Sequence, residues 1–218
     1  MVLQRDQLSR IKISEYKSIR ECDLELKNIN VLIGANGSGK SNFISAFSFL
    51  QSVLTKGLQL FAAQSGVNSL FYEGRKVTDQ IFFEAFFGLN SYGFELVPTD
   101  DNRLVFNKEF FGYYWKTDWQ SEIARGNFES KWNNGVGNNS DLIQSAAVDS
   151  QLIVSTQSVD LLNEFDAEDV IVANRGSRGT ELMRLPAESL KVWLEDDYSL
   201  GDLWNMNLLG GRPAAEPV

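Results

Sequence analysis

The 218-residue chain carries 20 basic against 29 acidic residues, a net charge of −9, with 43% apolar residues and one cysteine. That apolar share can bury the core of one domain or of two lobes sharing it, but no run of about 18 apolar residues exists to form a transmembrane helix. The lone Cys22 excludes an intrachain disulfide framework or multi-cysteine metal site and reads as a buried, inert thiol. Histidine is absent, which removes the commonest general base and metal ligand.

The opening Met1 to Asp6 lacks the charged-then-apolar order of a secretory signal, so a cytoplasmic chain with no membrane partner is expected. Charge is uneven. Arg5, Arg10, Lys12, Lys17 and Arg20 against Asp6 and Glu15 give the first 20 residues +3 and leave −12 on the rest. So acidic a body offers no broad track for a duplex. Contact with DNA or RNA would be confined to the amino-terminal edge or supplied by another chain. Otherwise those cations read as a solvated strand edge with one or two phosphate contacts.

Leu8 to Ile13 and Asp23 to Leu26 alternate apolar and polar as half-exposed strands do, which suggests an early sheet including the next strand. That strand, Ile29 to Ile33, is short, apolar and β-branched. Directly after it comes Gly34-Ala35-Asn36-Gly37-Ser38-Gly39-Lys40-Ser41, the spacing G-x-x-x-x-G-K-S of a phosphate-binding loop. In that motif successive backbone N–H groups wrap the β-phosphate, the lysine reaches the β/γ-phosphates and the serine hydroxyl ligates Mg²⁺. Phe43, Ile44, Phe47, Leu50 and Leu54 then recur at three- and four-residue steps, one face of a helix that fades near Gly57. Strand, glycine-rich turn and helix stand in the order the chemistry requires, and the helix N-terminus adds its own attraction for an anion. The predicted site therefore uses Asn36, Gly37, Ser38, Gly39, Lys40, Ser41 and Asn42 for ATP, with Lys40 catalytic and Ser41 on Mg²⁺.

Gly66 to Gly74 reads as loop. Four aromatic-rich segments follow, Ile81 to Phe87, Tyr92 to Val97, Arg103 to Phe106 and Glu109 to Trp115, divided by Asn90-Ser91 and Pro98 to Asn102 as turns. This is an antiparallel meander. Its aromatics could serve as a base-stacking platform, but spacing of two points them onto a buried face, and aromatics at both parities imply that part of the second face is covered as well. The polar stretch Asn133 to Asn139 marks a lobe boundary, giving lobes 1–139 and 140–209 and a tail 210–218. Beyond it the pattern predicts a helix over Asp141 to Asp149, a buried strand Gln151 to Thr156, a helix from Val159 to about Phe165, a hairpin pairing Asp169 to Ala173 with Thr180 to Leu185, and an amphipathic helix Leu190 to Glu195.

Ser14-Glu15-Tyr16-Lys17-Ser18-Ile19-Arg20, with Asn30-Val31-Leu32-Ile33 and the loop through Asn42, resembles the amino-terminal half of the RecF/SMC-like, ABC-type ATPases, including the predicted AAA-type ATPases related to the OLD proteins. Gln151 to Ser158, followed by Leu161-Leu162 and Glu168 to Val172, resembles the family's switch strand and the hairpin after it. The ending Leu194 to Trp204 through Gly210-Gly211-Arg212-Pro213 is similar too. The resemblance implies an α/β P-loop NTPase, an ABC-type ATPase head with a mixed sheet and an antiparallel meander. It places Lys17 and Ser18 near the phosphates and Tyr16 near the nucleotide; these residues also read as an ordinary turn between two strands.

Two departures qualify it. Where the family has a γ-phosphate-sensing histidine this chain has Gln157, which can donate a hydrogen bond but cannot become a cation. The signature segment Leu-Ser-x-Gly and the Walker B strand ending in Asp-Glu are missing; Val192 to Asp196 and Ser199 to Gly201 mimic them poorly. Walker B acids hold Mg²⁺ and the attacking water. About 150–200 residues of the family pattern would ordinarily fall at the Asn/Gly linker, so the head reads as shortened, by truncation, by natural reduction or by omission of its middle.

In the complete family two heads sandwich ATP, and hydrolysis drives DNA-linked functions in repair or phage defence. For this chain the resemblance implies an ATP- and Mg²⁺-binding head with a head-to-head homodimer or another chain as partner, the DNA link by family alone. The alternative is a non-hydrolysing interaction module or remnant whose docking ATP switches. Turnover by this chain alone is not expected, unless an acid such as Asp160 approaches the site.

Overall fold

The computed structural model describes residues 7–114, 118–131 and 151–211. The expected linker at 133–139, the helix at 141–149 and the tail beyond Gly211 lie outside the described residues. The chain divides into two compact units, Met1–Leu26 with Asn42–Ser150 and Lys27–Ser41 with Gln151–Val218.

In the first unit, β1 (Leu8–Tyr16) and β2 (Ile19–Glu25) pair antiparallel. The loop strand β3 (Ile29–Ile33) does not join them, contrary to the expected early sheet. Buried Asn30 accepts from the Lys27 N–H at 3.0 Å and donates to the Lys27 carbonyl at 2.6 Å, closing the turn that leads into β3. Instead β1 pairs with the meander β4 (Ile81–Phe87), β5 (Asn90–Pro98), β6 (Leu104–Tyr114) and β7 (Asp118–Ala124), in the antiparallel order β2-β1-β4-β5-β6-β7. The two strands expected over 103–106 and 109–115 are one. Glu95 faces Lys108 while Leu96 faces Phe106, so Asn107 is an extra residue that bulges without ending the strand.

Helix α1 (Lys40–Leu54) buries Phe43, Ala46, Phe49, Leu50 and Val53. The stripe is rotated from the expected one, and Ile44 is 38% exposed. The helix is apolar around most of its girth, so two stripes satisfy the same spacing, and the aromatic ring at Phe49 decides between them. That ring lies 5.2 Å from Tyr16 and 5.3 Å from Phe83, within the range where aromatic pairs attract. Short helices α2 (Leu58–Ser65) and α3 (Val67–Leu70) follow, the second where a loop was expected. On the sheet's other face, Phe82 stacks on Phe110, Arg10 and Lys12 lie over Phe86, and Lys108 covers Phe110. Long cationic stems shield these rings, which accounts for buried aromatics at both parities.

The second unit holds a four-stranded sheet in the order β10-β9-β3-β8, with β8 (Leu152–Ser155), β9 (Val170–Gly176) and β10 (Gly179–Arg184). β8 and β9 both run parallel to β3, and β10 returns antiparallel to β9 as the expected hairpin. The central β3 therefore buries Val31, Leu32 and Ile33, and its one polar residue, Asn30, is buried with its amide hydrogen-bonded. Val170, Val172, Leu162, Leu200, Leu203 and Trp204 complete its core. The helices here are α4 (Val159–Leu162), α5 (Ala187–Glu195) and α6 (Leu200–Asn205). The last was not anticipated, although Ser199 and Asp202 form a reciprocal capping box that the S-x-x-D spacing announces. Among the described residues no helix is long and apolar enough to cross a membrane.

Candidate functional site

Parallel strands bring the carboxyl ends of β3 and β8 to one side, where ligands of such sheets bind. At that end the backbone leaves β3 through Gly34, whose φ is +154° and whose missing Cβ would stand 2.4 Å from the Ala173 carbonyl of β9. Gly37 and Gly39 also have positive φ, at +79° and +103°. The chain re-enters regular structure at Lys40, the first residue of α1. These dihedrals are open to glycine at little cost, which explains the motif's glycines here.

The loop closes on its own lysine. Lys40 Nζ donates to the Gly34 carbonyl at 2.6 Å and to the Ala35 carbonyl at 2.9 Å, with 8% of the residue exposed. Desolvation lowers the pKa of its ammonium below the ordinary lysine value. The Ser38 N–H bonds the Ala35 carbonyl, while buried Ser38 Oγ has no hydrogen-bond partner among the described residues. A buried, unsatisfied hydroxyl is costly, and an anion held in the loop would satisfy it. Among the described residues nothing lies within 4 Å of where a Gly37 Cβ would stand.

Gln157 follows β8 directly, because Ser155 pairs with Leu32 and Thr156 N–H bonds the Leu32 carbonyl. Its exposed Nε2 donates to Asn36 Oδ1 at 2.5 Å, so the residue in the switch position touches the tip of the loop. Ser41 is exposed in the first turn of α1. No group of three or more acidic, histidine or cysteine side chains suited to a metal occurs among the described residues. A cation here would take one oxygen from Ser41 and the others from phosphate and water, as Mg²⁺ commonly does. Asp160 is exposed in the first turn of α4.

The remaining expected residues belong to the first unit. Asn42 Nδ2 donates to Ser18 Oγ at 2.6 Å. Lys17, at φ +50°, donates to Ser45 Oγ at 3.0 Å, and burial lowers its pKa. Tyr16 is fully buried beneath Phe49 and Phe83, and burial pushes its phenol up to about 12. Its ring is core and offers no face to a base. The basic edge is largely satisfied internally, since Arg10 binds Asp23 through both carboxylate oxygens.

The sequence did not reveal what supports the loop. The Ala35 N–H donates to the Gly211 carbonyl at 2.7 Å, and Thr180 of β10 occupies the space where a Gly39 side chain would go. The only available signal was Gly210-Gly211 itself, a pair that suggests positive φ without naming a partner.

A family model described as "AAA domain, putative AbiEii toxin, Type IV TA system" matches residues 29–125. Among solved structures, the SmcHead bound to the C-winged helix domain of ScpA superposes with a TM-score of 0.50 at 11% identity, over 85% of this chain and 99% of that one. The Smc head domain with a coiled coil and joint from Pyrococcus yayanosii has a TM-score of 0.31 at 22% identity, over 65% of this chain and 25% of that one. No curated protein matches in sequence.

Proposed function

For a chain whose fold is that of an ABC/AAA-type ATPase head related to SMC and RecF-like proteins, we propose that it binds ATP with Mg²⁺ at the loop of residues 34–41 and acts as a nucleotide-switched head. The observation that carries this is the loop itself: a lysine wrapped by two loop carbonyls beside a buried serine hydroxyl lacking a partner among the described residues. Both groups gain when a phosphate arrives, because Lys40 exchanges neutral carbonyls for charged oxygens and Ser38 Oγ finds an acceptor. Ser41 orients the metal, which supplies charge neutralisation on the phosphates. Gln157, already at the loop tip, donates to the γ-phosphate and so reports whether it is present. Lys17, Ser18 and Asn42 remain members of the proposed nucleotide-binding set.

In this reading ATP governs docking of a second head or of a partner chain, in keeping with an SmcHead whose structure was solved with a winged-helix domain. Hydrolysis takes second place, since the sequence supplies no Walker B glutamate to hold water. Any link to DNA would run through the partner. The test is titration of the purified chain with Mg·ATP beside Lys40→Ala. Binding by the parent and loss by more than about tenfold in the variant is expected, since a hydrogen bond to a charged group is worth about 1.5–3 kcal/mol. Equal affinities would place the nucleotide elsewhere.

A further inference from the structure

Besides Gln157, three groups among the described residues outside the motif press on the phosphate loop, and all come from the chain after residue 151. Ala173 on β9 presents its carbonyl 2.4 Å from the Cβ that Gly34 lacks. Thr180 on β10, 2% exposed, sets its Oγ1 1.9 Å, its Cγ2 2.6 Å and its Cβ 2.7 Å from the position a Gly39 side chain would take. The Gly211 carbonyl accepts the Ala35 N–H at 2.7 Å.

Gly211 reaches that point only because it is a glycine. Its φ is +80°, and a Cβ there would meet Val172 Cγ1 at 2.8 Å and the Trp204 ring at 2.9 Å. Neighbouring Gly210 also has positive φ, +77°, so the chain turns twice in succession to deliver this one carbonyl. Core packing alone does not require that carbonyl to meet a loop amide.

We propose that Thr180 and Gly211 are positioning residues for the phosphate loop, forming with Ala173 a clamp from the carboxyl-terminal segment that holds residues 34–39 in the shape that receives a nucleotide β-phosphate. Thr180 is a wall behind Gly39, and Gly211 ties down the start of the loop through Ala35. The Ala35 N–H is thereby committed to the protein. A loop kept in one shape binds at its intrinsic affinity, whereas one sharing its time with other shapes binds more weakly in proportion to the competent fraction. Because the β-phosphate is common to ATP and ADP, the clamp affects both nucleotides alike. This separates it from Gln157, whose contact concerns only the γ-phosphate. The inference rests on the nucleotide reading above for its ligand but not for the clamp itself.

Two readouts test it on the full chain. The first needs no nucleotide: hydrogen–deuterium exchange of the 34–41 segment in the parent, Thr180→Ala, Thr180→Val and Gly211→Ala. Weakening the Ala35–Gly211 backbone hydrogen bond accelerates exchange by about two- to tenfold, so Gly211→Ala should exchange faster there; Thr180→Ala, which removes Oγ1 and Cγ2 from behind Gly39, should do so as well, while Thr180→Val, which keeps the bulk of the wall, should stay nearer the parent. The second is Mg·ATP and Mg·ADP titration of the same proteins. Thr180→Ala should weaken both nucleotides about three- to tenfold, with restoration in Thr180→Val. Unchanged exchange in both disruptive variants overturns the clamp. Faster exchange with unchanged affinities overturns the positioning role and leaves a structural contact. Absence of binding by the parent overturns the nucleotide reading instead, and the exchange arm still decides the clamp. Should Gly211→Ala fail to fold, the Thr180 pair carries both readouts.

Discussion

Gly39→Ala is the substitution whose consequence can be worked most directly from the geometry. At φ +103° an L-residue is strained by about 1–3 kcal/mol. The new methyl would also stand 1.9 Å from Thr180 Oγ1 and 2.7 Å from Thr180 Cβ. Rotating Thr180 about χ1 moves its Oγ1 and Cγ2 but leaves its Cβ in place, so the clash can be relieved only by shifting β10 or the loop. Overpacking of this kind costs about 1–3 kcal/mol, and the two together give about 2–6 kcal/mol. Gly37→Ala is the internal control. Its φ of +79° carries similar strain, but open space surrounds it. Urea unfolding followed by tryptophan fluorescence measures both, with Trp204 as a reporter inside the second unit's core. Gly39→Ala should be the less stable of the two by about 1–3 kcal/mol and should lose nucleotide affinity. Equal destabilisation of the two variants would refute the claim that Thr180 is what forbids a side chain at position 39.

Other outcomes follow from the same site. Ser41→Ala should weaken nucleotide binding mainly in the presence of Mg²⁺ if its hydroxyl ligates the metal as proposed; equal losses with and without metal would contradict that assignment. Gln157→Ala should reduce the preference for ATP over ADP by about ten- to a hundredfold, the value of one hydrogen bond to a charged group, with ADP affinity nearly unchanged; identical ratios would place Gln157 away from the γ-phosphate. In single-turnover measurements at saturating Mg·ATP, the parent chain should hydrolyse no faster than Lys40→Ala. A rate near about 1 s⁻¹, lost in that variant, would reveal a base that the sequence does not announce.

How much of this was legible in the sequence varies with the range of the interaction involved. The loop from Gly34 to Ser41 could be read because its geometry is local: each glycine answers a dihedral, and the lysine bonds carbonyls five and six residues back. The hairpin of β9 and β10 was legible for the same reason, as two apolar runs closing across Gly176 to Gly179. Periodicity failed where two answers shared one period. Around α1 nearly every turn offers an apolar residue, so only contact with Phe83 and Phe94 chose Phe49 over Ile44 for the core. The bulge at Asn107 escaped because a single unpaired residue leaves no compositional trace. Tyr16 shows what a motif leaves out, since position in it says nothing of how tightly Phe49 and Phe83 enclose the ring.

The supports of the loop were illegible for a stronger reason. Ala173, Thr180 and Gly211 lie about 140–175 residues from the glycines and the amide they touch, and nothing in their own neighbourhoods marks them as parts of a phosphate site. The motif supplies the groups that meet a phosphate, but its shape depends on a sheet that closes only when residues 29–33 meet strands beginning at Leu152 and Val170. Such long-range closure is entropically expensive, and each contact on the loop offsets a little of that cost. A ligand that binds only the closed loop stabilises it by mass action, about 2.7 kcal/mol at a hundred times the dissociation constant. On the proposed reading, the nucleotide and the carboxyl-terminal clamp act on the same equilibrium. A substitution at Thr180, far along the chain from Lys40, belongs to the binding site in the thermodynamic sense even though its side chain need never touch ATP.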